Sequence, residues 1–328
     1  SLCEDKNKLF GTGYGEKNVI YFHNGNNVTE WTTTIDANNG IIEMNDTRGK
    51  INKVIPFLNY VFAIRDYGIS KISHQEGKTK FEITHLSLSG NKIYEDTVCI
   101  CKDKMLMLTK EGIISFNGVT TSVVNLGINE MLQNVNNDNA KAVFHSGKYY
   151  LACRVNFNDN KKVLCENEQG FKNNAIIVLD VETLNYDIIR GVDVKSMVSI
   201  KLNKLDKIAI LLNNINRTNV LQFCDSGSYY NTPLNKEWVS PLTDLGYSNK
   251  IKFVRNLSLL SLYNCKVTIF SEKESKEFNV VGNNTLTKLK VNLKGKQIGI
   301  KIESTTPKAY ISNIKLDIDL LDYGFTKN

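Results

Sequence analysis

Short apolar runs separated by turn residues follow one another along nearly the whole chain. Val, Ile, Tyr and Phe cluster in these runs, and Asn, Gly and Asp lie between them, as in "INKVIPFLNYVFAIRDYGISKIS". This pattern is typical of an all-β protein. Only residues 126–142 predict a short helix, because the apolar residues Ile128, Met131, Leu132 and Val135 recur there at steps of three and four.

A loose internal repeat covers the first two thirds of the sequence. Each unit has a buried strand, a tight turn, a second apolar strand and a more polar outer strand. A period of roughly 40–50 residues with three or four strands per unit is typical of a β-propeller blade. The repeat predicts about five blades between residues 11 and 232, in a propeller domain spanning residues 1–232. Four units are recognisable, Val54–Ser73, Val98–Gly118, Ala142–Gly191 and Met197–Gly227, and Lys17–Thr33 is a partial or further copy.

The repeat stops after residue 232, and a ladder of clearly alternating strands follows. Such closely spaced strands, joined by polar turns, predict a jelly-roll-like β-sandwich over residues 233–328. The seven predicted strands are "IKFVRNL", "LLSLYN", "KVTIFSE", "KEFNVVG", "LTKLKVNL", "KQIGIKIES" and "AYISNIKLDIDLL".

The stretch "KEWVSPLTDLG", from Lys236 to Gly246, lies where the rhythm of the chain changes. We interpret it as an interdomain joint and call it the joint stretch. Pro241 and Gly246 are expected to fix its path, because proline restricts the backbone and glycine permits conformations that other residues avoid. Trp238 is expected to pack where the two domains meet, and Asp244 completes the set of joint residues.

Composition narrows the class of protein. The chain has 328 residues, 41% hydrophobic and 23% charged, which indicates a globular protein of two domains. It contains no apolar run long enough to predict a membrane helix. The first residue, Ser1, is more plausibly a cut end than a natural start.

The mild net charge of +7 does not by itself indicate a nucleic-acid partner. Lys288 and Lys290 alternate with Leu289, Val291 and Leu293, which predicts a half-buried strand with lysines on its solvent face. Aromatic residues, on which single-stranded nucleic acids stack, do not alternate with these lysines. Specific nucleic-acid binding is therefore not expected.

The seven cysteines are scattered and odd in number, unlike a secreted disulfide framework. Cys99 and Cys101 lie two apart on a predicted strand, so both should point to the same face. A metal site would need a Cys-x-x-Cys pair and a second pair of ligands. We therefore expect buried thiols in a reducing compartment, and no metal or other cofactor.

Carboxylates are the candidate catalytic residues, because some glycoside hydrolases combine a five-bladed propeller with a β-sandwich. Such an enzyme needs carboxylates about 5–10 Å apart. Asp66, Asp180 and Asp206 lie near predicted strand ends, but their neighbours "IRDYGIS", "VLDVETLNY" and "KLNKLDK" indicate turn-forming residues. A turn role is the favoured interpretation for each.

The histidines and glycine-rich segments point to no catalytic site either. His23 in "YFHNG" and His145 in "VFHSG" occupy similar-looking turns of two repeat units, which favours a recurring structural role. The glycines of "GTGYGEKN" lead into a strand rather than a helix, so they predict no phosphate site. We predict no catalytic residues.

The joint stretch and the strands after it resemble the propeller-type structural proteins of tailed bacteriophages and prophages. The resemblance is sharpest in "WVSPLTDLG" (Trp238–Gly246) and in the ending "ISNIKLDIDL" (Ile311–Leu320), and it extends over most of the chain. The family includes packaged-DNA stabilisation and tail-hub proteins at the head–tail junction or tail. The resemblance implies a non-enzymatic adaptor, assembled in the bacterial cytoplasm into the virion. Its implied partners are portal, adaptor or tail subunits and further copies of the chain in a ring.

Two other functions remain open from the sequence. Sandwich modules and propellers both bind glycans, so a carbohydrate-binding or cell-surface adhesion protein is the first alternative. A five-bladed-propeller glycoside hydrolase is the second, and it would require carboxylates that meet at the propeller axis.

Overall fold

The computed structural model describes most of the chain as two compact units, Ser1–Cys224 and Asp225–Asn328. The first unit ends eight residues before the predicted boundary at residue 232. The described residues are 1–13, 17–23, 31, 39–74, 80–87, 91–133, 135–157, 170–213, 219–223, 228–229, 232–233, 235–306 and 310–321.

The described strands of the first unit form five antiparallel sheets, each built from consecutive strands. The first sheet is β1 (Leu2–Asp5), β2 (Lys8–Gly11), β3 (Val19–His23) and β4 (Asn39–Glu43). The second is β5 (Ile51–Phe57), β6 (Tyr60–Arg65), β7 (Gly68–Ser73) and β8 (Glu82–Ser87). The third is β9 (Cys99–Cys101), β10 (Lys104–Thr109), β11 (Gly112–Phe116) and β12 (Thr121–Val123). The fourth is β13 (Lys141–His145), β14 (Lys148–Cys153), β15 (Ala175–Asp180) and β16 (Tyr186–Arg190). The fifth is β17 (Val194–Leu202), β18 (Leu205–Asn213) and β19 (Asn219–Phe223).

The first four sheets of the first unit share hydrophobic cores with their neighbours. On β6, Val61 and Ala63 belong to the core shared with the first sheet, while Phe62 and Ile64 belong to the core shared with the third. The strand β10 divides its side chains in the same way between the second and fourth sheets. Because both faces of these strands are buried, their sequences are continuous apolar runs rather than alternating ones.

The described strands of each predicted repeat unit fall within one sheet, so the repeat marks real structural units. The first sheet nevertheless begins earlier than the predicted start of the blades at residue 11. β1 and β2 occupy Leu2–Gly11, and the Ser1 ammonium donates a hydrogen bond to the Thr12 carbonyl at 2.8 Å. The strands could not be recognised from the polar sequence "SLCEDKNK", because one face of β1 is exposed and carries polar residues.

Helix is almost absent from the described chain, and the predicted segment 126–142 holds only α1 (Asn129–Leu132). A short 3₁₀ helix spans Glu95–Thr97. Ile128 and Leu132 are buried in the core between the third and fourth sheets. Their spacing therefore reflects two anchoring points in a connecting segment rather than the face of a longer helix.

The second unit contains two sheets that share one core and a separate hairpin, β20 (Ser228–Tyr229) with β21 (Thr232–Pro233). The four-stranded sheet has the order β22 (Lys236–Val239), β27 (Ile298–Ser304), β24 (Cys265–Ser271), β25 (Ser275–Val280). The three-stranded sheet has the order β26 (Leu286–Gly295), β23 (Ile251–Ser261), β28 (Ile311–Leu321). Leu289, Val291 and Leu293 face the core, and Lys288 and Lys290 are exposed, as predicted.

The prediction of separate strands at "IKFVRNL" and "LLSLYN" was wrong. The first segment and the first three residues of the second belong to the single strand β23, whose pairing with β26 and β28 is irregular between Val254 and Asn256. Lys252 and Val254 point inward before this bulge, and Leu257 and Leu259 point inward after it. An extra residue at a bulge shifts the alternation by one position, which makes one strand look like two.

Candidate functional site

The joint stretch forms an edge strand and a loop of the second unit. β22 pairs with β27, with Trp238 opposite Ile302 and Val239 opposite Lys301. The pairing continues past the strand, because the Ser240 amide donates to the Ile300 carbonyl at 2.8 Å. All four predicted joint residues therefore lie inside the second unit, and their role as a joint stays a prediction.

Trp238 is exposed although it lies on the core side of its sheet. Residues paired across strands project from the same face, and its partner Ile302 is buried in the core at 6% exposure. Trp238 itself is 53% exposed. The core-side face of the four-stranded sheet thus continues into solvent at the β22 edge.

Further exposed hydrophobic side chains follow Trp238 along the chain. We call Trp238, Val239, Leu242 and Tyr247 the edge patch; the last three are 47%, 37% and 46% exposed, and Val239 points to the opposite face of the sheet from Trp238. Lys301 forms ion pairs with Glu237 and Glu303, each at 2.9 Å, in the adjacent part of the sheet. Large exposed apolar groups bordered by charged ones are typical of protein-binding surfaces.

The loop after β22 is held in a defined conformation. Asp244 accepts a hydrogen bond at Oδ1 from the Gly246 amide at 2.9 Å, and Gly246 has a φ of +82°. Lys252, which is fully buried, donates from Nζ to the carbonyls of Tyr247 and Lys296. Asp244 and Gly246 therefore shape a turn, as expected for this pair of residue types, while Pro241 is exposed.

The three candidate carboxylates lie in hairpins of three different sheets. Asp66, after β6, accepts hydrogen bonds from the Lys50 amide at 3.2 Å and from Asn52 Nδ2 at 2.9 Å. Asp180, at the end of β15, accepts from the amides of Glu182 and Thr183 at 3.1 and 2.9 Å. The backbone amide of Thr183 is the main cause of the lowered pKa of Asp180. Asp206 is exposed on β18 next to a tight turn. These contacts agree with turn roles.

The similarity between His23 and His145 was misleading. His23 ends the third strand of the first sheet, whereas His145 ends the first strand of the fourth. His23 is buried with its ring 5.7 Å from the Trp31 ring, and His145 Nδ1 lies 3.1 Å from Ser199 Oγ. Both histidines end a strand, but the two strands are not at equivalent positions in their sheets.

A charged network that the sequence did not reveal joins the first two sheets. Arg65, fully buried, donates to Asp46 Oδ1 at 2.7 Å, and Asp46 Oδ2 lies 3.4 Å from His85 Nε2. His85 Nδ1 in turn lies 2.9 Å from Ser70 Oγ. This order of residues resembles a nucleophilic triad, but Ser70 is fully buried. A hydroxyl without access to substrate cannot act as a nucleophile, so the network can only stabilise the fold.

The only local signal for this network was Arg65 at the end of the apolar run "YVFAIR". Its partners lie far away along the chain, so spacing could not identify them.

Thiols gather around Tyr149 in the core between the third and fourth sheets. Cys99 and Cys101 both contribute to this core, which confirms that they share a face, and Cys153 joins them from β14. Burial raises the pKa of Cys99 to about 11 and that of Cys101 to about 12. Protonated thiols are poor nucleophiles and poor metal ligands. Cys165 and Cys224 lie outside the described residues.

Within the described residues, no group of three His, Cys, Asp or Glu side chains is arranged to hold a metal ion. No helix in this part of the chain is long and apolar enough to cross a membrane.

Comparison with known proteins yields only distant structural likenesses. No family model matches the chain, and no curated protein matches its sequence. One similar structure is described as the extracellular domain of a one-component system from B. thetaiotaomicron, with 13% identity and a TM-score of 0.45. The likeness covers 89% of this chain and 38% of that one, so the chain spans well under half of that structure. A second is the CNH domain of AfRom2, with 11% identity, a TM-score of 0.31 and coverage of 69% and 78%. Both scores are too low to support an argument about fold or function.

Proposed function

We propose that the five sheets of the first unit are propeller-type blades and that the second unit is a jelly-roll-like β-sandwich. The first proposal is supported by three features. The sheets follow the order of their strands, the first four sheets share cores with their neighbours, and first strands lie side by side: β1 with β5, β9 with β13, and β13 with β17. The second is supported by the single core between the two sheets of the second unit.

For the function, we propose a non-enzymatic structural protein of a tailed phage or prophage virion, acting as an adaptor or hub at the head–tail junction or tail. The observation that carries this proposal is the edge patch. The stretch with the sharpest resemblance to the phage proteins, Trp238–Gly246, is the one that exposes a tryptophan on the core side of an edge strand. Another virion protein could cover this face and pair with the edge.

A glycan-binding protein is the second candidate, and one feature of the second unit favours it. Tyr263 and Tyr310 are 38% and 53% exposed, and the Leu262 amide donates to the Tyr310 carbonyl at 3.2 Å, so the two tyrosines belong to adjacent segments. Exposed aromatic rings can stack on sugars. Loss of cell-wall pull-down in a Tyr263→Ala, Tyr310→Ala chain would support this candidate.

The direct test of the virion proposal is to induce the source strain with a DNA-damaging agent and analyse purified particles by mass spectrometry. Copurification at a fixed ratio to capsid and tail proteins would support it. Particles that form without the chain would overturn it.

The role of the edge patch is tested by Trp238→Ala. Because the side chain is half exposed, we expect the free energy of unfolding to change by no more than about 1 kcal/mol, whereas incorporation into particles should be lost. The matched control is Leu184→Ala, which removes a side chain of 42% exposure from a hairpin of the first unit. If the Trp238 variant melted normally and was incorporated into particles normally, the proposed role of the edge patch would be overturned.

A further inference from the structure

The strand β28 forms one edge of the second unit. At the other edge of its sheet, β26 lies beside β25 of the facing sheet, and Lys276 Nζ donates to the Asn292 carbonyl at 2.6 Å. β28 pairs with β23 from end to end, and none of the other described strands pairs with it. The backbone amide and carbonyl groups of a strand alternate between its two sides. Every second residue of β28 therefore offers these groups to a further strand.

The side chains on the core side of β28 are only partly covered. Leu316 and Ile318 pack against the core but are half-buried, whereas the residues opposite them on β23, Leu257 and Val254, are buried. Ile314, two residues before Leu316 and on the same side of the strand, is 39% exposed. A further strand beside β28 would cover these apolar side chains.

The segment Ile314–Ile318, "IKLDI", is complementary to itself in antiparallel pairing. With Leu316 of one copy opposite Leu316 of another, Ile314 lies opposite Ile318 and Lys315 lies opposite Asp317, and each of these pairs occurs twice. Opposite residues of antiparallel strands project from the same face, so the core sides of both copies fall on the same side of the combined sheet. Centring the pairing on Lys315 or on Asp317 would instead place like charges opposite each other, which is unfavourable.

The two charged residues of this segment are accessible to a second copy. Lys315 and Asp317 are exposed on the solvent face of β28. Asp317 contacts Lys288 at 3.2 Å and Asn256 Nδ2 at 3.1 Å, both through Oδ2, so Oδ1 can accept a further donor. Within the described residues, Lys315 forms no ion pair. Lysines on edge strands can also serve to prevent pairing, but a lysine with that role alone would not require a carboxylate at the position that faces it.

We propose that two copies of the chain pair through β28 in antiparallel orientation, with Leu316 on the two-fold axis. The two three-stranded sheets then form one sheet of six strands. Each copy contributes the same surface, so the contact is isologous and closes a dimer. Lys315 of each copy forms an ion pair with Asp317 of the other. This inference goes beyond the proposed function, because it concerns the chain by itself and does not involve the edge patch.

The experiment combines light scattering with zero-length carbodiimide cross-linking of the unaltered chain. Unlabelled and ¹⁵N-labelled protein are mixed at a concentration at which the dimer dissociates and are then concentrated. The expected result is a dimer in which Lys315 is linked to Asp317 in mixed-isotope peptide pairs. The contact of Lys288 with Asp317 is the internal reference, because it should be linked within one chain only. A monomer at the highest concentration, or a dimer without the mixed-isotope link at Lys315, would overturn the inference.

Charge variants test the register of the pairing. Lys315→Asp and Asp317→Lys should each abolish the dimer, because like charges then lie opposite each other. An equimolar mixture of the two should restore it, because every aspartate of one variant faces a lysine of the other. Lys290→Glu, at an exposed position on β26 of the same sheet, is the matched control and should leave the dimer intact.

The outcomes of these tests are separable from those of the virion test. Circular dichroism checks that each variant is folded, and the cross-link in the unaltered chain decides where a variant is not. A mixture of folded variants that remains monomeric, or a charge variant that dimerises alone, would refute the proposed register. If the chain were found in particles but did not form this dimer, the contact would be refuted and the virion proposal would stand.

Discussion

Arg65 organises the connection between the first two sheets. Its guanidinium donates from Nε and Nη2 to the Gly49 carbonyl at 3.0 and 2.7 Å, from Nη2 to the Met44 carbonyl at 2.9 Å, and from Nη1 to Asp46. A buried charge is tolerated only when it is paired and its hydrogen bonds are satisfied. The planar fork of arginine reaches these acceptors at once, which a lysine could not do.

The contact between Arg65 and Asp46 makes the stability of the fold sensitive to acid. Burial by itself would raise the pKa of Asp46, but hydrogen bonds from the Arg48 amide and Arg65, with the charges of Arg65 and His85, leave it lowered overall. A carboxyl whose pKa is lower in the folded state stabilises the fold above its unfolded pKa of about 4 and loses that contribution as the pH falls through the folded value.

We therefore expect Asp46→Asn to lower the free energy of unfolding by about 2 kcal/mol at pH 7 and to make stability less dependent on pH below about 4. Urea denaturation at a series of pH values measures both effects. Asp187→Asn, at an exposed position on β16, is the control and should change neither. If the free energy of unfolding depended on pH in the same way for the Asp46 variant and the unaltered chain, the acid-sensitive role assigned to Asp46 would be contradicted.

At the scale of single residues, the alternation of buried and exposed side chains along a strand could be predicted from the sequence, whereas contacts between residues far apart in the chain could not. Lys288 and Lys290 were assigned to solvent because their apolar neighbours repeat every second residue, and a half-buried strand requires that. The contact of Arg65 with Asp46 and that of His85 with Ser70 depend on how two sheets meet. No pattern within a short stretch of sequence indicates how two sheets pack against each other.

At the scale of elements, tight turns decide how strands pair. Leu58 and Asn59, between β5 and β6, both have positive φ, as do Asn203 and Lys204 between β17 and β18. Two-residue hairpin turns of this kind match the twist of the strands they join. Strand boundaries could be predicted where such a turn carries Asn or Gly. The prediction was wrong at β23, because the sequence feature interpreted as a turn there is a bulge within one strand.

Gly282, just after β25, is an element-scale site where close backbone packing requires glycine. A Cβ atom there would lie 2.2 Å from the carbonyl carbon of Tyr263, and the Gly282 amide donates to Asn264 Oδ1 at 3.0 Å. We expect Gly282→Ala to destabilise the second unit by about 1–3 kcal/mol, because backbone atoms must move apart.

Chemical denaturation followed by circular dichroism measures this cost. Gly170→Ala is the matched control, because no atom of the described residues lies within 4 Å of the position its Cβ would take. Equal stability of the two variants would show that the backbone at Tyr263 yields easily, and would refute the packing argument.

At the scale of the whole molecule, the repeat and the change of rhythm after residue 232 were the most informative sequence features. The five sheets follow the predicted units because each sheet comes from one continuous segment. The exposed side chains of the fifth sheet, at the end of the series, could not be predicted. An apolar strand at the end of the series has the same sequence pattern as one between two neighbours, and only its position differs.

The net charge of the molecule belongs to this scale too, and part of its positive charge lies beside carboxylates. In the three-stranded sheet of the second unit, Lys288 lies 3.2 Å from Asp317, and Arg255 pairs with Asp319. Binding to nucleic acid gains its affinity from lysines and arginines that neutralise phosphates. Basic groups already beside carboxylates attract phosphate weakly.

We expect the full chain to show no stable binding to a fluorescent single-stranded oligonucleotide at physiological salt, measured by anisotropy. Asp317→Asn with Asp319→Asn should create binding that weakens steeply as salt is added, because it leaves Lys288 and Arg255 without their acidic partners. Asp187→Asn with Glu130→Gln makes the same change in net charge at two exposed positions of the first unit and should have no such effect. Salt-sensitive binding by the unaltered chain would mean that its positive charge serves a nucleic acid after all, and a head–tail position in contact with packaged DNA would then be favoured over one in the tail.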